Sequence, residues 1–436
     1  MWDRLISDVE DGHYKRKNDH QTARNRGHPA FRKAADMNYE SKRSQLIKPS
    51  PAISVSIQAK ELTRQGIDVI DLSVGEPDFD TPMNIIQAAT DAMKAGQTHY
   101  TAPDGTAELK QAIADAFRRN QRLDFATNEI TAGNGAKQVI FNALMATLEP
   151  EDEVIIPAPY WVSYTDMVLL VGGTPKVVEC SYDMNFKLTA SVLEAAITSR
   201  TRWLFLNSPS NPTGATYSKD ELTALGDVIA RHGHVMVLAD EIYDQIRYGE
   251  TPSVSFLAAN PDLKDRVLIV NGVSKAYAMT GWRLGYAAGP AALVKVMGKI
   301  QSQSTSNPSS ISQAAAIEAL SGPQDFLIEA KTEYTARREI VFTALEAIPQ
   351  LRAPRPDGAF YAFVDCSALI GRIAPDGNVL ENDADVARFL LDVARIAVVP
   401  GAAFGMSPYF RISFATSRMA LETACDRLGH AVQQLF

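Results

Sequence analysis

Through the middle of the chain, short apolar runs alternate with stretches in which apolar residues return every three or four positions. The runs fall at 153–156, 176–179, 203–206, 235–239, 267–270 and 284–288. Each is short and apolar on consecutive positions, the pattern of a strand buried on both faces. Such strands, separated by helical stretches, predict a mostly parallel sheet covered by helices on both sides, and hence an α/β fold. Upstream, 54–65, 108–120 and 136–148 have helical spacing, and 68–72 reads as a short strand before the turn at Gly75. A helical pattern from 291 to about 303 is expected to lead out of the sheet domain. Beyond it, helices near 324–347 and 383–394 and strands near 359–364, 397–399 and 410–414 predict an α+β region. No internal repeat or low-complexity tract interrupts the pattern. The expected organisation is an extension at 1–36, a segment at 37–82 contributing to a small domain, a large domain at 83–325, and the small C-terminal domain at 326–436.

The extension differs in kind. Residues 1–36 are rich in Arg, Lys, Asp, His and Asn and lack apolar periodicity, so they read as a mobile tail. Asp3, Asp8, Glu10 and Asp11 are unlike a mitochondrial transit peptide, and Met37 stands where a start would be expected. A misassigned start or a dispensable extension is the reading. The remaining composition, 46% apolar and 22% charged, is that of an ordinary globular protein, and 436 residues suggest two or three domains. A net charge of −8 argues against a nucleic-acid-binding surface. Cys180, Cys366 and Cys425 are too few and scattered for a disulfide framework or a zinc site, which favours a cytoplasmic setting. No apolar run approaches the roughly 18 residues of a membrane helix.

The chemistry concentrates in NGVSKAYAMTGWRLG (271–285), where Lys275 stands eight residues before Arg283. A lysine that reacts with a carbonyl and an arginine that suits a phosphate together describe a site for a phosphorylated aldehyde, pyridoxal 5′-phosphate (PLP) being the obvious one. Two upstream segments support this, LNSPSNPTG (206–214) and VMVLADEIY (235–243). The second reads as a buried strand delivering Asp240 into a crevice, where an acid pairs with a protonated pyridine nitrogen. Tyr243 and Asn211 can each donate a hydrogen bond to the ring's O3′. Taken singly, Asp240 reads equally as a helix cap, Tyr243 as a core aromatic and Asn211 as a turn former. All of them in this order make that reading improbable.

With SVGEPDFDTP (73–82), YTAPDG (100–105), GNGAKQ (133–138), PYWVSY (159–164) and FRISFAT (410–416), the chain from about 48 onward resembles the fold-type I PLP enzymes, within them the class I aminotransferases. Its nearest likeness is the bacterial aspartate and aspartate/prephenate branch. The resemblance implies ping-pong transamination between L-aspartate, or a related dicarboxylic amino acid, and 2-oxoglutarate, giving oxaloacetate and L-glutamate, without a metal. It makes Lys275 the covalent anchor and the proton carrier. It places the cofactor phosphate on Gly135, Ala136, Ser274 and Arg283, adds Tyr100 from a neighbouring subunit of a homodimer, and stacks Trp161 on the ring. For the substrate it implies Arg411 on the α-carboxylate, the Gly75 backbone over the same end, Asn211 and Trp161 beside it, and Lys137 on the distal carboxylate. No arginine occurs in 301–312, where other aspartate aminotransferases supply one to that carboxylate. Prephenate users tend to read Lys-Pro-Ser-Xaa-Thr, whereas this chain has Ala52 at the last position, which favours aspartate. The alternatives are an aminotransferase for prephenate, aromatic or neutral amino acids, a PLP carbon–sulfur lyase, and, remotely, a non-catalytic PLP-binding regulator.

Overall fold

A computed structural model describes residues 39–47, 49, 51–249 and 254–436. The chain separates into two units, Met1–Ser41 and Lys42–Phe436, and the described strands and helices all belong to the second. The expectations for 1–36 and Met37 lie outside the described residues, as do Lys48 and Ser50 of the Lys-Pro-Ser segment.

Twelve strands occur among the described residues: β1 (Ile70–Asp71), β2 (Ile130–Gly133), β3 (Glu153–Ala158), β4 (Thr174–Glu179), β5 (Thr201–Asn207), β6 (Met236–Asp240), β7 (Val267–Gly272), β8 (Gly285–Ala288), β9 (Tyr361–Asp365), β10 (Ile396–Ala397), β11 (Val399–Pro400) and β12 (Tyr409–Ser413). Seven form one sheet in the order β2-β8-β7-β6-β5-β3-β4. The pairs from β7 through β6, β5 and β3 to β4 are parallel, while β8 runs antiparallel to both its neighbours. The period-2 geometry of a strand sends successive side chains to opposite faces. Leu204, Leu206, Val237, Ala239 and Ile269 accordingly join one core with Leu109, Ile113 and Phe117 of helix Ala107–Gln121. Trp203, Phe205, Leu238, Leu268 and Val270 join another with Val139, Ile140 and Leu144 of helix Ala136–Thr147. Burial on both faces is why these strands read as continuous apolar runs.

The structure departs from the sequence reading at β2, at helix Ala291–Ser302, and in helices Met83–Lys94, Ser310–Ser321 and Arg418–Gln433, which were not expected. β2 was not expected, because the four residues Ile130, Thr131, Ala132 and Gly133 are too few and too mixed to carry a strand pattern. Helix Ala291–Ser302 does not lead out of the sheet region. Leu293 and Met297 pack into the core shared by Val139 and Trp203. A third core surrounds the antiparallel sheet β11-β12-β9 and brings Phe360, Tyr361 and Phe410 together with Tyr334, Val341 and Phe342 of helix Asp325–Glu346. The parallel pair β1 and β10 ties the segment after helix Pro51–Arg64 to this region.

Gln301, 1% exposed, joins the loop before helix Ala107–Gln121, strand β2 and the middle of helix Ala136–Thr147. Its Nε2 donates to the carbonyls of Pro103 (2.5 Å) and Ala132 (2.9 Å), and its Oε1 accepts from Asn142 (2.9 Å). Gln301→Met keeps the volume and strands all three partners. Two of the three bonds are fully buried, so at about 1–3 kcal/mol per buried unsatisfied group it should lower unfolding free energy by at least about 2 kcal/mol. Urea denaturation measures this, and an unchanged midpoint would refute the role of Gln301.

Candidate active site

β7 and β8 pair with Gly272 opposite Gly285, so the intervening residues form a loop leaving and re-entering the sheet at its carboxyl edge. That loop carries Ser274, Lys275 and Arg283, and parallel sheets bind ligands at this edge. The Lys275 Nζ donates to the Gly75 carbonyl at 2.6 Å. Burial lowers its pKa to about 8; Glu76 opposes the shift, and the charges of Arg411 and Arg283 reinforce it. Arg283 itself adopts the left-handed region at φ 55°. Its guanidinium donates to the carbonyls of Thr280 (2.8 Å) and Asn134 (3.4 Å).

The Gly135 turn lies against this loop. Gly135 has φ 86°, and a Cβ there would stand 2.4 Å from Nη2 of Arg283. A Cβ on Gly285 would stand 2.1 Å from the Ala136 nitrogen. Gly285 thus lets the first turn of helix Ala136–Thr147 meet the lysine loop backbone to backbone, and Gly135 makes room there for the Arg283 guanidinium. The first N–H groups of a helix have no intrahelical acceptor, so this end, with Ser274 and Arg283 beside it, is suited to a phosphate.

Asp240 ends β6 opposite Asn207 of β5 and is 4% exposed. It accepts from the Tyr164 hydroxyl at 2.6 Å and from the Ile242 N–H at 3.2 Å. Burial raises its pKa to about 6, while these donors and Lys275 pull it back, so the carboxylate is mostly ionised at neutral pH. The Tyr243 hydroxyl lies 2.8 Å from that of Tyr361, and burial holds Tyr243 well above the usual phenol range.

Arg411 stands on β12 and is 3% exposed. It donates to the Asn211 side-chain oxygen (2.9 Å) and the Ser73 carbonyl (2.5 Å). Its guanidinium carbon lies 4.5 Å from the centre of the Tyr361 ring and 5.0 Å from that of Phe404. Its buried Nε has no partner, and burial lowers its pKa. A cation held by carbonyls and rings, with a buried donor unspent, is suited to an incoming carboxylate.

Lys275, Ser274, Asp240, Tyr243, Asn211, Arg283, Ala136, Trp161, Gly75, Arg411 and Lys137 all face one cavity of about 490 Å³. Gly135 sits just behind it, packed on Arg283. Lys137 lies over Trp161, its Nζ 4.8 Å from the ring centre, with its pKa lowered by burial and by Arg283. Trp161 packs edge-on against Tyr164. Besides Gly135, Tyr100 is the expected residue that does not face the cavity: it is 91% exposed on this chain. Tyr164, Tyr361, Ser73 and Thr280 also belong to the site and were not singled out from the sequence. Tyr164 lies within the PYWVSY segment and Tyr361 on an expected strand, but nothing local signals partners as far away as Asp240 and Tyr243. Among the described residues no cluster of three or more His, Cys, Asp or Glu is arranged for a metal.

The glycine cradle, the acid at the strand end, the lowered lysine and the unspent arginine donor fit pyridoxal phosphate and an amino-acid carboxylate. A model of the family described as aminotransferase class I and II matches residues 67–428. The chain is 51% identical over 386 residues to the aspartate aminotransferase of Rhizobium meliloti, covering 88% of this chain and 94% of that protein. It is 52% identical over 382 residues to the aspartate/prephenate aminotransferase of Cereibacter sphaeroides, covering 88% and 96%. The crystal structure of the Rhizobium meliloti aspartate aminotransferase superposes with a TM-score of 0.89 at 50% identity, covering 92% of this chain and all of that one. Pyridoxal phosphate is the cofactor, and an amino acid and a 2-oxo acid are the substrates. With a fold-type I architecture and a match over most of its length, the chain belongs to the class I and II aminotransferases.

Proposed function

We propose that this chain moves the amino group of L-aspartate, or of a related dicarboxylic amino acid, to 2-oxoglutarate. The products are oxaloacetate and L-glutamate, and the enzyme works as a cytoplasmic homodimer. The observation that carries the reading is that Arg411 and Lys137 line one cavity from separate elements, in a lining whose other cations are Lys275, Arg283 and Lys60. Arg411, with its unspent Nε, takes the α-carboxylate, and Lys137 takes the distal one. The names of the relatives agree with this. They also support prephenate as a second acceptor, against which stands Ala52 where prephenate users tend to carry Thr.

Each residue then has a task. When bound, pyridoxal phosphate supplies the electron sink for the pair released at the substrate Cα. Lys275 is the covalent anchor and carries the proton to and from Cα; an amine with a pKa near 8 is matched to that exchange. Asp240, held by Tyr164, keeps the pyridine nitrogen protonated. Tyr243 and Asn211 serve the ring's phenolic oxygen, and Trp161 stacks on the ring, contributing roughly 0.5–1.5 kcal/mol beyond area burial. Ser274, Arg283, Gly135 and Ala136 receive the phosphate. Tyr100, exposed here, reaches the phosphate of a second copy. The domain division at 37–82, 83–325 and 326–436 is part of this proposal; the core around β9 and β12 supports it and reaches across the boundary to Leu72, Ile242, Tyr243, Ile246 and Tyr248. For the cytoplasmic setting, the support is that no described helix is long and apolar enough to cross a membrane, together with the scattered cysteines.

Four experiments test these roles. Borohydride reduction of the PLP-loaded protein, followed by peptide mapping, should place the pyridoxyl group on Lys275. In the apoprotein its reaction with an amine-selective reagent should be half-maximal near pH 8, whereas that of an ordinary lysine is half-maximal near its own pKa of about 10.4. A label elsewhere ends the assignment. Asp240→Ala should cost far more in turnover than in folding. A cofactor with a permanent charge at the ring nitrogen should restore part of the rate, and near-normal turnover without it would contradict the pairing.

Arg411→Ala should slow every amino acid tried. Lys137→Ala should slow aspartate and glutamate by one to two decades in kcat/KM, the worth of about 1.5–3 kcal/mol for a charged hydrogen-bond partner. Alanine and phenylalanine should be nearly untouched at saturating PLP. Equal losses on mono- and dicarboxylic substrates would remove the distal-carboxylate role.

A further inference from the structure

Residues 71–81 cross the site as a strap whose polar groups are tied alternately to its two sides. Asp71 accepts from the Ser73 N–H (2.9 Å) and from the Ser56 hydroxyl (2.9 Å). The Ser73 carbonyl receives Arg411, and the Gly75 carbonyl receives Lys275. Glu76 accepts from Thr280 at 2.8 Å, and Thr81 donates to the Ala278 carbonyl at 2.7 Å and accepts from Trp282 at 2.9 Å. The strap therefore roofs the lysine loop with Gly75, Glu76 and Thr81. Between Glu76 and Thr81 it departs to the other side. Both carboxylate oxygens of Asp78 are taken by the guanidinium of Arg337, at 2.5 and 2.9 Å.

Arg337 is built for this contact. It lies on helix Asp325–Glu346 and is 5% exposed. Its Nε donates to Glu333 at 2.9 Å, and its guanidinium carbon lies 5.0 Å from the centre of the Phe79 ring. Phe79 in turn packs edge-on against Phe326 and Tyr334 of the same helix. A two-pronged pair fixes orientation as well as distance. Arg337 is the buried partner and Asp78 is partly exposed, so removing the carboxylate leaves a buried guanidinium short of its acceptors. Gly75 has no slack in which to drift. A Cβ on it would stand 2.7 Å from the Tyr361 hydroxyl and 3.8 Å from Nη1 of Arg411.

We propose that Asp78 and Arg337 are positioning residues for transamination: their two-pronged pair holds the strap so that the Gly75 carbonyl stays at the lysine amine and the strap backbone stays closed over the carboxylate end of the substrate. Neither side chain faces the cavity. Their effect passes through Gly75 and Ser73 and falls on substrate binding more than on the proton transfer. The inference rests on the aminotransferase reading of the site.

The test uses the PLP-loaded full chain with Asp78→Asn, Asp78→Ala and Arg337→Lys. Three quantities are read: KM and kcat for aspartate, the dissociation constant of the unreactive dicarboxylate succinate from the cofactor's absorbance, and hydrogen exchange of residues 71–81. Asp78→Ala should raise both KM and the succinate constant about tenfold while kcat changes less than threefold. Exchange in the strap should accelerate while β7 stays protected. Asp78→Asn, which keeps one neutral acceptor, should show a smaller effect of the same kind. Arg337→Lys keeps the charge, loses the fork, and should resemble Asp78→Ala. Asp78→Asn is the working variant if the others fold poorly. Unchanged KM and succinate binding in a folded Asp78 variant, or a fall in kcat at constant KM, would overturn the proposal. Failure of the wild-type enzyme to bind succinate or act on aspartate would instead strike the substrate reading.

Discussion

The site depends on one close approach, that of Gly285 at the start of β8 to the Ala136 nitrogen at the head of a helix. β8 is the strand that reverses direction within an otherwise parallel stack. Because it returns beside β7, the chain must loop out between them, and the loop's two ends are pinned at paired glycines. The helix head fits against that hairpin only where no Cβ intervenes. Anion-binding backbone and reactive lysine are thus brought together by sheet topology, and the side chains only complete what the backbone has arranged.

A second constraint is electrostatic. Lys275, Arg411 and Asp240 all lie in surroundings that resist charge, and each shift has burial as its largest cause. The protein holds these groups with carbonyl oxygens, a phenol and aromatic faces rather than with direct counter-ions. Full neutralisation by a partner would leave nothing for a ligand to pair with. Water-poor surroundings also make each later contact with a carboxylate stronger than it would be at the surface.

How much of this could be read in the chain follows from the range of the forces involved. The strands β3, β5, β6 and β7 were legible because burial on both faces leaves a run of Val, Ile, Leu and Phe. β2 was not, since Ile130, Thr131, Ala132 and Gly133 owe their strand geometry to pairing with β8. Helix Ala291–Ser302 was legible, but its destination was not, because periodicity gives a helix its apolar face and not the surface that receives it. Lys275, Asp240, Arg283 and Arg411 stood out through motifs, which record local chemistry. Tyr361, Tyr164 and Ser73 did not, because each matters through a partner brought near only by folding.

Gly75 combines two requirements that substitution alone cannot tell apart. Its missing Cβ leaves room for the Tyr361 hydroxyl, while its carbonyl oxygen receives the lysine amine. The second is a property of the peptide unit, and every amino acid would retain it. A survey of replacements at this position would record only the steric demand and would score the residue as a spacer. The polar function would surface only in a chain whose amide at this point had been exchanged for an ester, where the carbonyl becomes a poorer acceptor and nothing else changes size.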